Sequence, residues 1–367
     1  MNLLILTADY PRLDGTHERM FVHVRDLYYK EHGLNVTVLN FATKEDYEIN
    51  GIPVISLKTY KEKYSNNKVN FNIAVSHASN IRNHYLFLKR FEHNFSKIVF
   101  FFHGHEVLYL NKDYPKPYSY MKQNALRSGI FQDIYDKFKI RTWAIFYKKL
   151  APKAEFVFVS NWIKNRFQIN TGLSEGDLLG HTMIINNSIG ATFENKSFDF
   201  NNEKKYDFIT IRSNLDGSKY CVDLVVELAK RNPNKKFLII GRGLYFNYNE
   251  KPDNIEWVGK SLNHEEMFQY LDESKCGLLL TREDTQGVMT CELAAYGMPV
   301  ITSDIEVCHE FFSSMPNVVM INNDLNGIDI VSISEQLWNN RPYILDHSYY
   351  AGNTIKREVE LFKKIIR

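Results

Sequence analysis

The stretch EDTQGVMTCELAAYGMPVITSD, residues 283–304, holds the residue types best placed for chemistry. Asp284 and Glu292 stand eight positions apart with Gly287 between them. Glu283, Asp284, Thr285 and Gln286 fall in a loop after the apolar run CGLLLT. Gly287 permits a tight backbone and close approach of a ligand. A helix is expected from Val288 through VMTCELAAY, with Gly297 as its stop and Pro299 just beyond. The start of such a helix offers unpaired N–H groups and a partial positive charge, which suits phosphate. Glu292, about one and a half turns in, cannot help an anion. A carboxylate there suits neutral hydroxyls such as a ribose diol, and Asp284 suits the hydroxyls of a second sugar. Sugar, diphosphate and ribose in line describe a sugar nucleotide. A purely local alternative also fits: Asp284 capping the helix and Glu292 pairing with a cation.

The elements that must position these residues alternate along the chain. NLLILTA, NVTVLNF, IPVISL, KIVFFFHGHE, EFVFVS and TMIINNS read as buried strands of a first half. MFVHVRDLYYKEHG has helical spacing with Gly33 as a stop, and NWIKNRFQI reads as a second helix. After the polar stretch ENKSFDFNNEKKYD, the best candidate linker, the pattern restarts with DFITIRS, KFLIIGRG, IEWVG, CGLLLT and MPVITSD as strands. VDLVVELAKRN and NHEEMFQYLDESK are the intervening helices. This alternation predicts an α/β protein of two doubly wound parallel-sheet domains, with ligands at the carboxyl ends of strands facing across a cleft. The tail NTIKREVELFKKIIR is helical in period, but periodicity does not say where it packs.

A length of 367 residues fits two domains better than one core. The net charge of +2 carries no nucleic-acid signature. The four cysteines, Cys221, Cys276, Cys291 and Cys308, form no CxxC pair and read as small buried hydrophobes in a reducing compartment. The N-terminal run is too short for a signal-peptide core, and no run approaches the roughly 20 apolar residues of a membrane span. A cytoplasmic protein is expected.

The acid-x7-acid motif with its internal glycine, the small-residue helix, the Gly297-x-Pro299 turn and Ser303 resemble glycosyltransferase family 4, retaining transferases of the GT-B fold. Asp284 stands where that family usually has Glu, and the adjacent Glu283 is the other candidate for the first acid. ITIRSNLDGSKYCVDLVVELA resembles the family's Arg…Lys segment, which assigns Arg212 and Lys219 to the donor diphosphate and to the charge that leaves with it. FLIIGRG resembles its strand and glycine turn at Gly241 and Gly243; IEWVGKSLNHEEMFQYL resembles the segment near the base. LTADYPRLDGTHERMFVHVRDL resembles the opening strand, glycine loop and helix, with Asp14 and Gly15 where the family often has paired glycines. FFHGHEVL resembles the first domain's strand-end motif, with His103 near the reacting carbon and His105 and Glu106 in the same loop; each could instead satisfy loop backbone. Ser160 and Asn187 match two landmarks read as structural.

The resemblance implies an acceptor domain at 1–195, a donor domain at 196–349, and a terminal helix at about 350–367 that returns to the first domain. It assigns catalytic roles to His103, Asp284, Arg212 and Lys219. Donor contacts fall to Gly15, Gly241, Gly243, Glu283, Thr285, Gln286, Gly287, Val288 and Glu292. No Asp-x-Asp triplet is present to hold a divalent metal, so a metal-independent transfer without a cofactor is expected, from a UDP- or GDP-linked sugar to a saccharide or lipid-linked acceptor. Bacterial surface polysaccharide or glycoconjugate assembly is the expected setting. KFKIRTWAIFYKKLAPK, residues 137–153, reads either as an interfacial helix on anionic lipid at the inner face of the membrane or, more simply, as a surface helix with a core-facing aromatic side. A nucleotide-sugar epimerase on the same fold and a non-catalytic sugar-nucleotide-binding subunit are the rival readings. A dinucleotide oxidoreductase is disfavoured, because no G-x-G-x-x-G follows the first strand.

Overall fold

The computed structural model describes residues 1–13, 19–65, 70–121 and 129–366. The chain forms two compact units. The first comprises 1–110, 133–188 and 351–367; the second comprises 111–132 and 189–350.

The first unit is built on an eight-stranded sheet. Its strands are β1 (Asn2–Thr7), β2 (Asn35–Asn40), β3 (Tyr47–Ile49), β4 (Ile52–Ile55), β5 (Ile73–His77), β6 (Lys97–Phe102), β7 (Ala154–Phe158) and β8 (Thr182–Ile184), in the order β3-β4-β2-β1-β5-β6-β7-β8. Every pairing is parallel except β3 with β4. Leu3–Leu6, Ile98–Phe102 and Phe156–Phe158 are buried without interruption, as strands covered on both faces must be.

The terminal helix Ile355–Ile365 belongs to this unit. Ile355, Val359, Leu361 and Phe362 join the core formed by β1, β2 and the Met20–Glu31 helix. Its Glu358 is fully buried and accepts from Arg25 Nε (3.1 Å) and from the Tyr29 hydroxyl. Arg25 Nη1 donates to Phe21 O and Nη2 to Asn187 Oδ1, both at 2.8 Å.

The second unit carries β9 (Tyr206–Asn214), β10 (Phe237–Arg242), β11 (Ile255–Val258), β12 (Ser274–Leu279), β13 (Val300–Ser303) and β14 (Val318–Ile321), all parallel, in the order β11-β10-β9-β12-β13-β14. The chain runs outward from β9 through β10 to β11, then crosses to the other side with β12. The carboxyl ends of β9 and β12 are therefore the topological switch point, where ligands of such sheets bind.

The polar stretch 194–207, expected as a linker, lies against this unit. Phe198 is buried and its N–H donates to Tyr296 O (2.7 Å), while its ring and that of Phe200 pack on Trp338. Phe198 and Phe200 hold this polar run down. All four cysteines are buried and unbridged.

Candidate functional site

Arg212 is the last buried residue of β9. Its Nη2 donates to Leu280 O (2.7 Å), its Nε has no hydrogen-bond partner among the described residues, and its guanidinium carbon lies 5.0 Å from the centre of the Tyr220 ring. Lys219 Nζ lies 4.7 Å from the same ring centre. One aromatic ring thus carries both cations. Burial pulls the Arg212 pKa down and the charge of Asp284 opposes the pull. A guanidinium stays protonated regardless.

The loop that bears Lys219 is tied to the loop after β12. Lys219 O accepts from Arg282 N (2.8 Å) and from Thr281 Oγ1 (3.1 Å). The Arg282 guanidinium donates to both Asp223 oxygens, at 2.9 and 2.6 Å, and to Ser218 O at 2.7 Å.

Two tyrosines from the 111–121 segment brace these loops. The Tyr118 hydroxyl donates to Asp223 Oδ1 and the Tyr120 hydroxyl to Asp216 Oδ1, both at 2.8 Å. Asp216 in turn accepts from Leu244 N at 2.8 and 3.0 Å, which pins the turn after Gly243. The Tyr120 ring stacks on Tyr248 with centroids 4.7 Å apart. No sequence signal pointed to Tyr118, Tyr120, Asp216, Asp223 or Tyr220, because each acts through a partner that is not at motif spacing.

Gly241 and Gly243 have a packing role that the sequence reading did not include. A Cβ on Gly241 would lie 2.2 Å from Arg212 O, and one on Gly243 would lie 3.1 Å from Leu215 Cβ. These glycines let β10 and its turn press against the end of β9 that presents Arg212.

The opening motif folds as loop, glycine and helix. Thr281 N donates to Ser303 Oγ (2.8 Å), which joins the ends of β12 and β13. Asp284 Oδ1 accepts from Thr285 N (2.7 Å) and more loosely from Gln286 N (3.4 Å). Glu283 and Gln286 are buried, whereas Asp284 and Thr285 are partly open to solvent. Gly287 takes φ 74°, and the helix Val288–Tyr296 starts directly after it with no side chain capping it. Asp284 is therefore a turn residue, not the cap.

Glu292 is 5% exposed, and its Oε1 accepts from Gly190 N at 3.0 Å. Burial pushes its pKa up to about 7. The imidazole of His264 is the basic group beside it, at 3.8 Å, and burial lowers the pKa of that imidazole. Glu292 thus sits among backbone and a weakly basic ring, with no Lys or Arg paired to it among the described residues. A Cβ on Gly190 would meet His264 Cε1 at 2.4 Å, so the glycine lets the imidazole pack against this turn. Gly190 and His264 were not legible as site residues.

In the first unit, His103 follows β6 and is partly exposed. Its Nε2 lies 3.1 Å from His77 Nδ1, and its ring packs 4.7 Å from that of Phe21. Burial, reinforced by the charges of Arg25 and Arg19, holds its pKa well below the usual histidine range; burial and His103 do the same to His77. Two neutral imidazoles therefore share one hydrogen bond. Glu106 is buried and its carboxylate accepts from His103 N (2.9 Å) and Gly104 N (2.7 Å), so it shapes the loop. Ser160 caps the Asn161–Thr171 helix through Ile163 N (3.1 Å). Gly15 lies outside the described residues.

Among the described residues, no group of three or more His, Cys, Asp or Glu is arranged to hold a metal ion. Nor is any helix among them long and apolar enough to cross a membrane.

Residues 208–328 match the family model described as glycosyl transferases group 1. No curated protein matches the sequence. Solved structures do match across both units. Sucrose-phosphate synthase from Thermosynechococcus elongatus is 12% identical over 99% of this chain and 98% of its own, with a TM-score of 0.68. An α-glucosyltransferase in complex with UDP-glucose and DNA containing an abasic site is 10% identical over 100% and 99%, with a TM-score of 0.62. WaaG, a glycosyltransferase involved in lipopolysaccharide biosynthesis, is 12% identical over 99% and 92%, with a TM-score of 0.57. The stretch that carries Arg212, Lys219, Asp284 and Glu292 thus matches the glycosyl transferases group 1 model, and the two units together have the GT-B fold of the solved glycosyltransferases.

Proposed function

We propose that this protein moves a glycosyl group from a UDP- or GDP-linked sugar to a hydroxyl of a saccharide or lipid-linked acceptor, with retention of anomeric configuration and without a metal ion. The observation that carries the reading is the Arg212–Tyr220–Lys219 cluster at the switch point, bonded to the loop that leads into an uncapped helix start. Negative charge develops on the leaving diphosphate as the glycosidic C–O bond breaks. Two cations on a rigid ring, with helix N–H groups, are preorganised for that charge.

Glu292 would take the ribose hydroxyls and Asp284 those of the transferred sugar. His103, by family likeness, would serve the reacting carbon. The acceptor oxygen forms the new bond on the face the diphosphate leaves, and the acceptor proton passes to a diphosphate oxygen. That same-face exchange retains configuration in one displacement, without a covalent sugar–enzyme intermediate, and a trapped adduct would refute it. UDP-glucose in one structural neighbour supports the donor class, and lipopolysaccharide biosynthesis in another supports a role in surface polysaccharide assembly.

The test is a panel of UDP- and GDP-sugars with EDTA present, read as release of the nucleoside diphosphate, beside Arg212→Met. One donor should turn over in EDTA, with a loss of about 10²–10³ in the variant. Turnover only on adding a divalent ion would refute metal independence. An inverted anomeric centre in the product, read by NMR, would refute retention. Binding of a donor with neither transfer nor hydrolysis would favour a non-catalytic subunit.

A further inference from the structure

The helix Ile130–Leu150 is the core-facing aromatic helix that its sequence suggested, with Trp143, Phe146 and Tyr147 buried. Its opposite side is unusual. Ile134, Phe138 and Ile145 are 59%, 61% and 67% exposed, and Ile169 on the adjacent helix is 63% exposed. At 3.6 residues per turn, Ile134, Phe138 and Ile145 fall on one line, and Lys137, Arg141 and Lys148 lie along its edge. The six span an arc of about 100°.

Lys137, Arg141 and Lys148 also line a depression of about 350 Å³ between this helix and residues 170–173. Lys148 is held by Asp177 at 2.7 Å. Lys137 and Arg141 make no ion pair among the described residues. The helix carries Lys137, Lys139, Arg141, Lys148 and Lys149 against only Asp133 and Asp136, and Asp136 is buried and tied to Lys139.

We propose that this face docks on an anionic lipid bilayer, with Ile134, Phe138, Ile145 and Ile169 in the acyl boundary and headgroup phosphates at Lys137, Arg141 and Lys148. The charge pattern selects this occupant. Apolar side chains edged by Lys and Arg match the interface of an anionic membrane, where each cation adds attraction. The centre of a protein–protein interface is instead depleted of Lys. The proposal uses no feature of the donor site and stands or falls apart from the transfer reading.

The experiment is flotation of the full chain with phosphatidylcholine vesicles, with and without phosphatidylglycerol. Wild type should float with the anionic vesicles only, and less at high salt. Lys137→Gln/Arg141→Gln should bind about thirtyfold more weakly, at roughly 1 kcal/mol per cation. Phe138→Ser/Ile145→Ser should bind at least tenfold more weakly, in line with lost apolar contact area of roughly 25 cal/mol per Å². All four residues are exposed, so both variants should keep the wild-type circular dichroism and the wild-type turnover of free donor. Absence of wild-type binding, or wild-type affinity in either variant, would overturn the proposal. So would a wild-type dimer, measured without lipid, that Phe138→Ser/Ile145→Ser converts to monomer, since the face would then belong to a second copy of the chain.

Discussion

Glu292→Gln separates the two properties of the buried acid. The substitution keeps the shape of the side chain and leaves a carbonyl oxygen to accept from Gly190 N, now 3.0 Å from Oε1. It removes the ionisation. In wild type the folded pKa is about 7 against an ordinary 4.5, with burial as the cause. Between those two values the folded chain binds a proton that the unfolded chain releases. Stability is therefore whole below about pH 4.5, falls as pH rises, and has lost its full share above about 7. A pKa gap of that size is worth about 3 kcal/mol. The amide has no such loss. Thermal melts of the two proteins, taken as a difference from pH 4 to 8, cancel every titration they share. The difference should be near zero at the acid end and grow with pH, at roughly 2–4 °C per kcal/mol for a unit of this size, until the variant melts several degrees above wild type. Nucleotide binding should run the other way. With its oxygen on Gly190, the amide offers only an N–H₂ donor to a ribose diol, so UDP or GDP should raise the melting temperature less than in wild type. A melting difference that ignores pH, or that shrinks as pH rises, would refute the assignment of a destabilising buried carboxyl.

Three further outcomes follow from the packing. Tyr118→Phe and Tyr120→Phe each remove a side-chain hydrogen bond of about 1 kcal/mol from a loop of the second unit, so on the proposed reading the donor KM should rise several-fold in steady-state assays while kcat changes less. Gly241→Ala places a Cβ against Arg212 O and should destabilise the second unit by about 3 kcal/mol, measured by urea unfolding, with nucleotide binding weakened in the fraction that folds. Arg25→Met leaves Glu358 buried without its cation and should destabilise the first unit by about 3–5 kcal/mol in the same assay. That loss should be smaller at acid pH, where Glu358 is protonated.

The local grammar of this chain was legible. Strands covered on both faces read as unbroken apolar runs, as LLIL and VFFF do, and the tail kept its helical period whatever it packed on. Gly287 before Val288 and Gly297 after Tyr296 marked both ends of the site helix, because a left-handed φ is a property of one residue. Residue type and spacing therefore marked out Asp284 and Glu292 as candidates, and Arg212 entered through its resemblance to a family segment.

Everything that depends on a distant partner waited for the tertiary structure. Glu292 could have been an ion-paired surface acid. Gly190, 102 residues away, and the burial around it made it a carboxyl that ionises near neutrality. Arg212 and Lys219 are seven residues apart in sequence, and it is the Tyr220 ring that shows both cations lying in one place. The 111–121 segment follows a strand of the first sheet, yet its tyrosines brace loops of the second. The tail joined the first core through Arg25 and Glu358, 333 residues apart. Periodicity and backbone dihedrals are set by near neighbours in sequence. The pKa of an acid, the ring that holds two cations and the sheet that receives a helix are set by what packing brings within a few ångströms.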